Sequence, residues 1–167
     1  MLNKMANICR TEMTLTASPE AISWLKETYE AATSETLVEH FGKEAESFID
    51  RIGSKWVQKY DCWEEDENSY YISLESAWYS PKDMIEQMYT LLKEKSGDAE
   101  VHIKGRYWDE AFQPVGVFYV NEGGWESEEE DIHEDQGEWE EENPDGYFFD
   151  DVIDPVFSRL EEELGQP

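Results

Sequence analysis

Side chains able to do chemistry are scattered along this chain, with one exception. Cys9 and Cys62 form no CxxC and stand far apart, so they read as two reduced thiols of the interior. His40, His102 and His133 are too dispersed for a zinc site or a nucleophile–base pair. No P-loop, GxGxxG, HExxH or GxSxG segment occurs. Catalytic residues and cofactors are therefore predicted to be absent. The exception is carboxylate: 41 Asp and Glu oppose 13 Lys and Arg, a net charge of -28. A calcium loop needs acids at alternating positions, a Gly at the sixth and a Glu at the twelfth. Residues 126–145 lack that spacing, so no dedicated metal site is expected.

The acids have a location. Residues 107–158 hold 18 acids and no Lys or Arg, whereas a salt-adapted surface would spread them evenly. The densest block contains Glu126, Glu128, Glu129, Glu130, Asp131, Glu134, Asp135, Glu138, Glu140, Glu141 and Glu142. A run of this kind is usually a solvated tail. Here Trp125, Ile132 and Trp139 recur every seven residues, which a tail does not need. After the turn Asn143-Pro144-Asp145-Gly146 comes an apolar run of Tyr147, Phe148, Phe149, Val152 and Ile153. Asp154-Pro155 then opens a helix whose Val156, Phe157, Leu160 and Leu164 can pack back on the body. The block is thus expected to be pinned at both ends.

Eight elements must carry it. Residues 7–16 alternate as a strand. Ser18-Pro19-Glu20 starts a helix over 19–31 with a hydroxyl cap, a first-turn proline and an acid; its stripe is Ile22, Leu25, Tyr29 and Ala32. A second helix is predicted over 36–51, with Leu37, Phe41, Ala45, Phe48 and Ile52 on one face and Gly53 as its stop. Strands 54–63 and 69–78 flank a polar EEDEN turn. Ser80-Pro81-Lys82-Asp83 repeats the earlier start signal, with Ser80 as cap, and opens a helix over 81–95 with Met84, Ile85, Met88, Leu91 and Leu92 inward. Residues 99–108 and 115–120 supply the last strands. The expected fold is α+β: a ferredoxin-like antiparallel sheet over 1–120 with helices on one face. Residues 121–167 would add an acidic extension that ends in a helix packed on the same domain. The N-terminal MLNKMANICRTEM has no apolar run of signal-peptide length, and no window approaches the ~20 apolar residues of a membrane span. A cytoplasmic protein without membrane contact is expected.

Three motifs carry a resemblance. Gly53-Ser54-Lys55-Trp56, then Ser76-Ala77-Trp78-Tyr79-Ser80-Pro81, then Arg106-Tyr107-Trp108-Asp109-Glu110 are similar in order to the YubB-like ferredoxin-fold family of plasmid and phage proteins. The similarity spans roughly residues 6–120. It departs at Ile8-Cys9, where the family tends to show Trp-Cys, and at Lys82, where it shows a second proline. The resemblance implies the fold and a mobile-element origin. It implies no activity and no catalytic residue.

Charge completes the expectation. Duplex DNA carries about one charge per 1.7 Å of axis, so -28 matches the phosphates of roughly 14 base pairs. Such a surface repels nucleic acid and attracts basic proteins. The expected partner is a basic nucleic-acid-binding protein of the host, such as a restriction–modification or CRISPR enzyme, with Trp125 and Trp139 as anchors. A non-inhibitory interaction module for another basic partner is the alternative.

Overall fold

The structure is a computed structural model that describes residues 7–166. Strand β1 (Ile8–Thr16) leads to α1 (Pro19–Ala31) and two short helices, α2 (Leu37–Phe41) and α3 (Phe48–Ile52). The hairpin β2 (Val57–Asp66) and β3 (Ser69–Ala77), helix α4 (Lys82–Ser96), and the meander β4 (His102–Asp109), β5 (Val115–Asn121) and β6 (Gly124–Glu130) follow. Helix α5 (Gln136–Glu142) comes next, and a π-helical turn, Phe149–Ile153, runs into α6 (Asp154–Leu164). The fold is α+β, with one antiparallel sheet in the order β2-β3-β1-β4-β5-β6.

Alternation decides what each face buries. Cys9, Thr11, Met13 and Leu15 of β1 point one way and are buried with Tyr70, Ile72 and Leu74 of β3 and Ile103 and Tyr107 of β4. Helices α1 and α4 cover this face with Ile22, Leu25 and Tyr29, and with Met84, Ile85, Met88 and Leu92. Removing each such side chain from water contributes about 1.5–3 kcal/mol. Ser18 caps α1, accepting from the Ala21 amide at 3.2 Å.

The body's helices α1 and α4 share one face as expected, and the C-terminal extension adds cover to part of the other. Val115 and Val117 of β5 lie beside Trp108 of β4 and turn away from α1 and α4. Phe157 and Leu160 of α6 close over them, joined by Ile132, Phe148 and Ile153. The physical reason is the unbroken burial of β5 from Val115 to Val120, which needs apolar cover on both sides. The remainder of that face, over β1, β3 and β2, carries a stacked Trp63–Tyr71 pair at 3.9 Å and Arg10 over the Tyr60 ring at 3.7 Å.

Four local expectations also change. The helix over 36–51 is two helices, and its intended core positions Ala45 and Phe48 are exposed. A Cβ on Gly42 would meet the Val38 carbonyl at 2.6 Å, and Gly42 leaves the helix in extended geometry. Ser47 then caps a fresh helix by accepting from the Asp50 amide, and Arg51 reaches back to the carbonyls of Val38 and Lys43 at 3.2 Å. In the hairpin, β2 continues through Glu64–Asp66, leaving only Glu67-Asn68 as the turn. At α4, Ser80 does not cap; its hydroxyl pairs with Thr11 at 2.9 Å and the helix begins after Pro81. The strand β5 reaches Asn121, so the boundary expected at 120/121 falls inside a strand, and β6 joins the same sheet.

Candidate interaction surface

Pairing with β5 sorts the acids of β6. Glu126, Glu128 and Glu130 stand opposite Tyr119, Val117 and Val115, on the face that α6 covers. Trp125, Ser127 and Glu129 take the other face. β6 is an edge strand, and its like charges oppose pairing with a second copy.

Some of these acids are engaged within the chain. Glu130 binds Arg159, which also holds Glu163 at 2.9 Å across one turn of α6. Gln166 donates to Glu126 at 2.5 Å. Asp135 caps α5 through the Glu138 amide at 2.8 Å, and Gln136 donates to Glu140 at 2.9 Å. Tyr107 donates to Glu129 at 2.6 Å. That last bond needs Gly116 between them: the three residues face each other across β4, β5 and β6, and a Cβ on Gly116 would lie 2.3 Å from the Tyr107 ring.

Glu128, Asp131, Glu134, Glu138, Glu141 and Glu142 are exposed and make no ion pair or side-chain hydrogen bond among the described residues. Their positions are nonetheless set. Trp125 lies flat on Phe118 with ring centroids 4.5 Å apart. Trp139 packs edge-on against Phe148 at 5.6 Å and fills the space that a side chain at Gly146 would take. Ile132 is buried, donates its amide to Phe112 and accepts from Gln113 at 3.0 Å. Both tryptophans are half-buried, so they fasten the acidic segment to the sheet while showing one side to solvent.

Sequence reasoning omitted two contributors. Glu161, Glu162 and Glu163 of α6 are exposed; Glu163 shares Arg159 with Glu130 of β6, whereas Glu161 and Glu162 lie by Lys104 of β4. Trp78 and Tyr79 form a corner between β3 and α4, 45% and 66% exposed. The Tyr79 amide bonds back to the Ala77 carbonyl at 2.7 Å around Trp78, whose φ is 63°. A γ-turn with a bulky residue at positive φ is rare and strained. Ser54 pins it by donating to the Ala77 carbonyl at 2.9 Å. Trp-Tyr-Ser-Pro before a helix was the available signal, though it reads first as a helix start.

A cavity of about 460 Å³ opens between this corner and β6, lined by Cys9, Trp78, Tyr79, Lys82, Tyr107, Trp125, Ser127 and Glu129 among others. Cys9 is a free, buried thiol; burial first, then the Asp109 carboxylate, pushes it up to about 12. His102 stacks on Tyr119 at 5.4 Å and lies 3.2 Å from Glu100. Among the described residues no group of His, Cys, Asp and Glu is placed to hold a metal ion, and no helix is long and apolar enough to cross a membrane. No protein-family model, curated protein or solved structure matches the chain.

Proposed function

We propose that this protein is an acidic mimic of nucleic acid that enters the basic channel of a host defence enzyme and displaces its DNA or RNA. The observation that carries the reading is the rigid presentation of unpaired carboxylates: Glu128 on β6 and Glu138, Glu141 and Glu142 on α5 project from elements that are paired, capped and packed. A mobile tail would lose conformational entropy on docking, whereas a fixed array keeps that cost low. Association with a basic groove then releases counterions and is steered by charge, as for DNA itself. The resemblance of residues 6–120 to plasmid and phage proteins supports a mobile-element origin. The order β2-β3-β1-β4 with α1 and α4 on one face supports a ferredoxin-like body; β6, α5 and α6 are its acidic extension.

The test is displacement. Purified restriction–modification and CRISPR enzymes are loaded with labelled duplex, and the released fraction is read by anisotropy as this protein is added. Reversing Glu138, Glu141 and Glu142 to Lys is expected to weaken displacement at least about tenfold. Reversing Glu27, Glu39 and Glu94, exposed acids on helices away from β6, is expected to cost far less. Equal loss from both triple variants would reject a located surface. Binding without displacement would favour the non-inhibitory interaction module.

A further inference from the structure

The acidic face adjoins a site of a different kind. The cavity between the Trp78–Tyr79 corner and β6 has π-rich walls, contributed by Trp78, Tyr79, Tyr107 and Trp125, and one carboxylate, Glu129. We propose that this cavity is an anchor pocket for a guanidinium group, filled by an arginine side chain of the basic partner; the identity of that arginine's owner rests on the function proposed above, the pocket does not.

Three observations carry it. Tyr107 donates to one Glu129 oxygen only, and reaches it because Gly116 leaves room. The second oxygen has no hydrogen-bond partner among the described residues, so the carboxylate can still accept from a planar fork. Next, the ring faces are already shown to cations. Lys82 Nζ lies 5.6 Å from the Trp125 centroid and Lys55 Nζ 5.6 Å from the Trp78 centroid, near the outer limit of a useful cation–π contact of about 6 Å. Neither ammonium has a carboxylate partner among the described residues. A guanidinium stacks on aromatic faces and pairs with Glu129 at once, which an ammonium held at the rim by its own helix does not. Finally, Trp78 keeps a half-exposed indole at the cost of a positive φ, and strain of this sort gathers at binding sites. Lys82 lining the same cavity opposes an incoming cation, and that makes the assignment sharp: its removal must help.

The probe is ethylguanidinium chloride, added at constant ionic strength while the tryptophan indole N–H resonances are followed by NMR. Signals of Trp78 and Trp125 are expected to shift and saturate, with that of Trp24 unmoved as an internal control. Glu129→Gln is expected to weaken the site about two- to fivefold, and Lys82→Ala to tighten it by a similar factor. Lys95→Ala, which removes an equal charge over Trp24, is the control for net charge. Shifts that never saturate, or equal responses to Lys82→Ala and Lys95→Ala, would overturn the pocket. Displacement of nucleic acid that Trp78→Ala and Glu129→Gln leave intact would overturn the partner's arginine as the occupant and keep the mimicry. A saturable guanidinium site in a protein that displaces no nucleic acid keeps the pocket and removes the mimicry.

Discussion

Cys9 sits at the base of the aromatic cavity, and its thiol keeps its proton to about pH 12 because burial penalises the thiolate. Tyr29, Tyr70 and Tyr107 are raised in the same direction, burial first; the carboxylates of Glu30 and Glu129 add to the effect at Tyr70 and Tyr107. Each group holds its proton more tightly folded than unfolded. The stability they contribute is complete below the unfolded values, about 8.5 for a thiol and about 10 for a phenol, and is lost as pH rises beyond them. The urea midpoint should therefore fall between about pH 8 and about pH 10.5. A flat midpoint over that window would show that these groups are not buried as described. Trp125 and Glu129 were named from the sequence, but their meeting with Trp78 and Tyr107 in one pocket was not legible there. Trp78, Glu129 and Tyr107 meet only through strand register and through the missing side chain of Gly116, and neither is a local signal.

Helix α6 is the element whose loss reaches furthest. It lays Phe157 and Leu160 over Val115 and Val117, and it places Arg159 against Glu130. Phe157→Ala is expected to destabilise the protein by about 3–5 kcal/mol, as for a large aromatic in a closed core. Arg159→Ala, on a solvent-exposed pair, should cost far less. Denaturant melts of both variants decide it; comparable losses would mean that α6 is held by charge instead of packing. Most element types could be read from periodicity, including α1, α4, α6 and the strands of the first hairpin. Two short helices were read as one because the apolar spacing of Leu37, Phe41 and Ala45 continues across Gly42. The better signals were Gly42 itself and Ser47, a stop followed by a new cap. β6 was hidden for another reason: a strand of Trp-Glu-Ser-Glu-Glu-Glu has no apolar alternation, and its pairing comes from β5 across a tight turn.

At the scale of the whole molecule, a net charge of -28 works against compactness, because a folded chain holds its carboxylates closer than an unfolded one. Salt should relieve this. Raising NaCl from about 0.01 M to about 0.1 M shortens the Debye length from about 30 Å to about 10 Å, and the melting temperature is expected to rise by roughly 4 °C or more. The same change is expected to weaken the proposed attraction to a basic partner. Salt thus moves stability and binding in opposite directions, which separates loss of affinity from loss of fold. A melting temperature that stays level or falls over this range would show that local pairs such as Arg10–Glu75 and Arg106–Glu12 already offset the repulsion.

The cover supplied by α6 has a consequence in time. A ribosome adds about 5–20 residues each second, so β4 and β5 emerge seconds before the helix that roofs them. During that interval Trp108, Val115 and Val117 have no lid, while the α1 and α4 side of the sheet can already close. The nascent chain is then one-sided and sticky on the side that will be inside. The glutamates of β6 emerge directly after β5 and stand at the rim of that bare face, where they repel neighbouring chains until the roof arrives. The acids proposed to meet a partner in the finished protein would thus also guard the chain during its synthesis.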